Sequence, residues 1–178
     1  MLVKRQKTSA SSRWRLDGVR AVITGGSKGL GLATADEFAD LGAELLLVAR
    51  GTDDLAAALK LLSAKHAGLK IHSIVADVSK DDGRQAVVAR AADLFGGTLD
   101  VLVNNAGTNS RKRVEGQSDA EYHTMVATNQ DSAYFLCKLC LPLLQRLPSW
   151  SPSPRLSQPF LLIPTQPPRQ PHRSSQPL

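Results

Sequence analysis

What the 178-residue sequence lacks narrows its function first. It has no stretch near the ~18 uninterrupted apolar residues of a spanning helix, so no membrane partner is expected. Its two cysteines, Cys137 and Cys140, are too few for a disulfide framework and point to a reducing compartment. The four histidines, His66, His72, His123 and His172, fall at no metal-ligand spacing, and no metal is expected. The N-terminal stretch is basic but has no apolar segment of the secretory type. A cytoplasmic location is therefore expected ahead of an organelle.

Acid and proline are missing from particular places. Residues 1–16 carry Lys4, Arg5, Lys7, Arg13 and Arg15 with no acid, and residues 148–178 carry Arg155, Arg169 and Arg173 with none. The 131 residues between, 17–147, hold 14 bases against 16 acids. The net charge of +6 thus belongs to the ends, not to a folded basic face, and no nucleic-acid partner is expected. Nine of ten prolines lie in 148–178, while all thirteen glycines lie between Gly18 and Gly116. Three parts follow: a basic, disordered leader over 1–12, one folded domain over 13–147, and a disordered Pro/Ser/Gln-rich tail over 148–178.

The middle segment alternates strand and helix signals. Strands are predicted at Arg20–Thr24, Glu44–Ala49, Ile71–Ala76 and Leu99–Val103. A helix from Gly29 to Leu41 has Leu30, Ala33, Phe38 and Leu41 at helical spacing. A second is capped by Thr52, with Asp53 and Asp54 suiting its dipole. A third starts at Ser79 and carries Val87, Arg90, Ala91 and Leu94. A long fourth runs from the capping box Ser118–Glu121 to Leu147, with Pro142 bending it. This pattern implies an α/β fold, a Rossmann-like doubly wound parallel sheet in strand order 3-2-1-4, incomplete after four strands. The fourth strand, apolar on both faces, is then left at a sheet edge.

The chemistry-bearing residues cluster at strand ends. Thr24-Gly-Gly-Ser-Lys-Gly-Leu-Gly31 joins the first strand to the first helix, where glycines allow close approach to a pyrophosphate and the helix offers free N–H groups. Where an NAD-preferring domain has an acid, this chain has Arg50, and Lys28 adds a second cation. That pair favours a 2′-phosphate, hence NADP(H). Asp77 can accept from adenine or cap the next turn. In Asn104-Asn-Ala-Gly107 the amides can tie strands together and the small pair lets the cofactor lie close.

In this order and spacing, TGGSKGLG, Arg50, Asp77-Val78 and NNAG resemble the short-chain dehydrogenase/reductase family. RWRLDG, NNAGTN and ATNQDSAYFLCKLCLPLL are similar to its plant tropinone-reductase-like branch. The resemblance spans about Arg13 to Leu147. It implies NADP(H)-dependent reduction of a small carbonyl substrate, or oxidation of the alcohol, by a homo-oligomer built partly on the long helix. It also implies cofactor contacts from Gly25, Ser27, Lys28, Gly29, Leu30 and Gly31 at the phosphates and from Arg50 at the 2′-phosphate. Asp77 and Val78 fall to adenine, and Asn105, Ala106 and Gly107 to the adenosine ribose. Asn129 matches the asparagine that holds a water in the proton relay.

The family's reaction also needs a serine and a Tyr-x-x-x-Lys pair, and the sequence after Leu147 contains neither tyrosine nor lysine. Tyr134 and Lys138 have the spacing, but Tyr134 comes only 29 residues after Asn105 and five after Asn129, with no serine in the family's expected place before it, so the pair is read as structural. Cys137-x-x-Cys140 lies deep in a helix and is read as packing. Arg111-Lys-Arg113 is read as a solvated turn. The expectation is an NADP(H) half-site without catalytic machinery. The alternatives are a non-catalytic NADP(H)-binding or dimerising module, pairing through the 118–147 helix with a full-length relative, and a truncated or misread gene product, favoured by the abrupt change at Pro148.

Overall fold

Four short apolar runs, each ending in a turn, set the frame. The computed structural model describes residues 15–144 and, as backbone, a strand at 160–162. The strands are β1 (Arg20–Thr24), β2 (Glu44–Ala49), β3 (Ile71–Val75), β4 (Val101–Val103) and β5 (Phe160–Leu162). All pair in parallel, in the order β3-β2-β1-β4-β5. The first four match the predicted order.

Alternation along the strands gives the sheet two apolar faces. Ala21, Ile23, Leu45, Leu47, Val101 and Val103 point to one side, where α1 (Gly29–Asp40) and α2 (Thr52–Lys65) cover them. Val22, Leu46, Val48 and Leu102 point to the other, against α3 (Asp81–Leu94) and α5 (Ser132–Leu144). Helices on both faces bury all of β1 but Arg20 and all of β2 but its two end residues, as expected for a doubly wound sheet.

Four expectations are corrected. In α1 the buried residues are Gly31, Ala35 and Ala39, while Leu30 is 81% exposed. The helix lies so close to the sheet that only small residues fit beneath it, and the larger apolar residues fall to its flanks. The cap of α2 is Gly51, not Thr52, which is the first helical residue. Helix α3 begins after Lys80, not at Ser79, because the Ser79 hydroxyl donates to Asp77 and is spent on the preceding turn. Its inward arginine is Arg84, 7% exposed, donating to the Val78 carbonyl and lying 4.9 Å over the Phe135 ring; Arg90 faces solvent.

The long helix is divided. Ser118 and Glu121 form the predicted capping box at the start of α4 (Asp119–Val126), and a π turn over Ala127–Asp131 joins it to α5, which contains Pro142. Leu136, Cys140 and Leu143 form its buried stripe, while Met125 and Ala133, at the same helical spacing, are only partly buried. Leu147, the leader over 1–12 and the tail over 148–178 lie outside the described residues, apart from β5. That three-residue strand covers the edge of β4, with Val101 opposite Phe160 and Val103 opposite Leu162. An open parallel edge presents unpaired N–H and C=O groups, and a short apolar run answers them even within proline-rich sequence.

Candidate nucleotide cleft

The carboxyl ends of β1, β2, β3 and β4 open into one cleft of about 370 Å³, at the point where the sheet order reverses. Gly25, Ser27, Lys28, Arg50, Asp77, Val78, Asn105, Ala106 and Gly107 line it. Nine of the twelve residues assigned by sequence to cofactor are thus brought together. Gly29 and Gly31 lie just behind, as the first and third residues of α1. Leu30 faces a neighbouring groove instead.

The glycine turn is held by contacts within the protein. Gly25 has a φ of +66°. A Cβ on Gly31 would stand 2.2 Å from the Gly25 carbonyl oxygen and 2.5 Å from Asn105 Nδ2. The turn therefore closes on the start of α1 with no room for a side chain, leaving the helix N-terminus aimed at the cleft. Gly26 N–H donates to the Val48 carbonyl at 3.2 Å and fixes the turn against β2.

Thr24, 1% exposed, joins the turn to the end of β4. Its hydroxyl accepts from the Asn105 and Ala106 N–H groups, both at 3.0 Å, and lies 3.2 Å from the Val103 carbonyl as donor. Asn105 Nδ2 reciprocates, donating to the Thr24 and Gly25 carbonyls at 3.0 and 3.3 Å. The expected strand tie is present, through Asn105. The sequence reading missed Thr24; its signal was a hydroxyl at the last position of an otherwise apolar strand. Thr128, 3% exposed, is a second missed lining residue.

Asp77 takes the capping role considered for it and remains on the cleft wall. Its Oδ1 accepts from Ser79 N–H at 3.0 Å and from the Ser79 hydroxyl at 2.7 Å, while the residue still lines the cleft. Burial pushes this carboxyl up, but the Ser79 bonds and the charges of Arg50 and Lys80 outweigh it and leave it below the usual carboxylate range. It is ionised at neutral pH, able to accept but not to donate. Lys28 Nζ donates to Asp54 Oδ2 at 3.1 Å across the cleft mouth. Asp54 thus does more than sit in the first turn of α2.

Asn129 lies outside this cleft, in the π turn. Its Oδ1 accepts from Thr108 N–H at 2.7 Å and its Nδ2 donates to the Thr108 carbonyl at 2.8 Å, pinning the loop after Gly107. It borders an apolar groove of about 800 Å³ shared with Leu30, Val103, Asn104, Ala133, Tyr134 and Cys137. Tyr134 is 64% exposed there and meets the Phe135 ring edge-on. Asn104 Nδ2 donates to Cys137 Sγ at 3.3 Å. Burial raises the Cys137 thiol above its usual range, and it pushes Cys140, beside Cys137, up to about 12. Neither forms a thiolate at neutral pH, consistent with packing. Among the described residues no group of His, Cys, Asp or Glu could hold a metal ion, and no helix is long and apolar enough to cross a membrane.

The chain is similar in sequence and in fold to known proteins. The short chain dehydrogenase family matches over residues 20–149. A tropinone reductase homologue of Arabidopsis thaliana is 41% identical over 133 residues, 75% of this chain and 49% of that protein. One from Datura stramonium is 37% identical over 133 residues, again 75% and 49%. Among solved structures, L-sorbose reductase from Gluconobacter frateurii, complexed with NADPH and L-sorbose, superposes with a TM-score of 0.68 at 36% identity, covering 72% of this chain and 48% of that one. The Pseudomonas aeruginosa RhlG/NADP complex gives 0.69 at 31%, covering 75% and 50%. The chain thus spans about half the length of these relatives, and over that half it belongs to the short chain dehydrogenase family.

Proposed function

We propose that this chain binds NADP(H) in the strand-end cleft and represents the cofactor-holding half of a carbonyl reductase or alcohol dehydrogenase. The observation that carries the reading is the meeting of Lys28 and Arg50 in the cleft that the glycine turn and Asp77 also line. NADPH, when bound, supplies a hydride. The residues of this chain bind and orient it. The free N–H groups at the start of α1 receive the pyrophosphate, with Gly25, Ser27, Gly29 and Gly31 shaping the approach and Leu30 contributing backbone alone, its side chain turned to the neighbouring groove. Arg50 and Lys28 take the 2′-phosphate, Asp77 and Val78 the adenine, and Asn105 to Gly107 the ribose face. Asn129 acts as a positioning residue, holding the Thr108 loop beside that face rather than moving a proton itself. The NADPH and NADP in the two solved relatives support this assignment.

The substrate class carried over is a small ketone or the corresponding alcohol. Residues 1–178 alone do not turn it over, because Tyr134 stands exposed on α5 with no serine at the family's position before it. A second reading, a module that pairs with a copy of itself or a full-length relative, is favoured by the exposed Tyr122, Tyr134 and Leu141 on α4 and α5. A cytoplasmic location fits the two free thiols.

NADPH fluorescence should rise saturably with the chain at micromolar concentrations. Arg50→Ala should weaken NADPH by about tenfold, the scale of one charge-assisted contact to phosphate, and leave NADH within twofold. No saturable binding, or equal loss for both nucleotides, would sink the cofactor assignment. NADPH oxidation with cyclic ketones should be absent; turnover abolished by Tyr134→Phe would instead make Tyr134 a catalytic residue.

A further inference from the structure

Asp54 stands where a carboxylate is least expected in a phosphate-binding site. It lines the cleft together with Lys28 and Arg50, whereas its neighbour Asp53 does not. Its Oδ2 accepts from Lys28 Nζ at 3.1 Å. The same oxygen lies 3.4 Å from where a Cβ on Gly51 would be, so the carboxylate folds back over Gly51, the residue that follows Arg50. Both partners are open to water, with side chains 79% and 56% exposed, and an exposed pair of this kind exchanges readily. Helix capping explains Asp53 and Asp54 equally; it does not explain why only Asp54 contacts a cation of the cleft.

Resting on the NADP(H) reading above, we propose that Asp54 is a specificity-determining residue that moderates the preference for NADP(H) over NAD(H). In the free protein it neutralises Lys28. A 2′-phosphate, carrying about −1.5 to −2 charges, must draw Lys28 away from Asp54 and then lie near a like charge. A ribose with a free 2′-hydroxyl meets neither cost. The cleft therefore holds two attractive groups and one repulsive one, and the balance among them, rather than Arg50 alone, sets the discrimination.

The test uses the 178-residue chain, titrated with NADPH and NADH by fluorescence and with adenosine 2′,5′-bisphosphate and AMP by calorimetry. Asp54→Asn keeps the shape and removes the charge. It should tighten NADPH and the 2′,5′-bisphosphate by about two- to fivefold, the scale of one exposed charge contact, and leave NADH and AMP unchanged. The gain should shrink as salt rises towards ~1 M, where the screening length falls to about 3 Å. Asp53→Asn, with the same charge change on the same turn, should leave the nucleotide ratio where it was. An unchanged ratio in Asp54→Asn, an equal gain in Asp53→Asn, or a loss of NADH affinity in Asp54→Asn would each overturn the inference. If wild type binds NADPH with the expected dependence on Arg50 while Asp54→Asn changes nothing, only this inference falls. If wild type binds neither nucleotide, the cofactor reading falls with it.

Discussion

Gly31→Ala is expected to destabilise the protein by about 1–3 kcal/mol, although the same change at an exposed helix position stabilises by up to about 1 kcal/mol. The sign is set by contact, not by backbone conformation. Gly31 is not among the residues with positive φ, so alanine suits its dihedrals. The new Cβ, however, would stand 2.2 Å from the Gly25 carbonyl oxygen. That oxygen belongs to the β1–α1 turn, and it also accepts from Asn105 Nδ2 at 3.3 Å, so it cannot retreat without breaking the strand clasp. Thermal unfolding should fall by roughly 3–12 °C at the size of this domain. NADPH affinity should fall with it, because the displaced helix start no longer aims its N–H groups at the cleft. Gly29→Ala is the control. Gly29 has a φ of +57° with nothing near its missing Cβ, so its cost is backbone strain alone, about 1–2 kcal/mol, with the clasp intact. Asn105 side-chain amide protons should therefore lose protection in Gly31→Ala and keep it in Gly29→Ala. A Gly31→Ala protein as stable as wild type would mean the turn is not packed this tightly.

This contact also explains which parts of the molecule were legible in sequence. Alternation of strand and helix was plain because each strand is a short apolar run stopped by a turn residue, and β1 and β2 match their predicted bounds residue for residue. The buried face of α1 was not. Periodicity follows large apolar side chains, and a helix packed this close to its sheet hides Gly31, Ala35 and Ala39 while Leu30 stays in water. The same limit put Arg90 on the inner stripe and passed over Arg84, since a long side chain buried by a carbonyl and an aromatic ring has the same sequence signal as a solvated one. Strand β5 was out of reach for another reason. Four residues between prolines have no periodicity to read, and what places three of them in a strand is the open edge of β4, a tertiary fact.

The candidate cleft divides along a similar line. Its glycines, cations and Asp77 were legible because their residue types are chemically demanding at those spacings. Asp54 was hidden by a sufficient local explanation, the first turn of α2. Thr24 was hidden because threonine is an ordinary strand residue, and only the structure reveals that its hydroxyl serves three backbone groups.

Thr24 yields the other large effect. Thr24→Val keeps the shape and buries a methyl where the hydroxyl was, leaving the Asn105 and Ala106 N–H groups and one bond of the Val103 carbonyl without their partner. An unsatisfied buried polar group costs about 1–3 kcal/mol, so the variant should lose about 3 kcal/mol or more. Thr24→Ser removes only the methyl and should lose about 1 kcal/mol. The two variants separate packing from polarity at one atom. Amide exchange at Asn105 and Ala106 should accelerate sharply in the valine variant and little in the serine variant. Nucleotide affinity should follow the same order, because the Asn-Asn-Ala-Gly segment reaches the cleft only while β1 and β4 are clasped at their carboxyl ends. Comparable stability and amide exchange in the two variants would assign the clasp to the Asn105 side chain alone, through its bonds to the Thr24 and Gly25 carbonyls. A valine variant that unfolds early but retains full affinity at low temperature would instead show that the cleft is built by the glycine turn and needs β4 only as a wall.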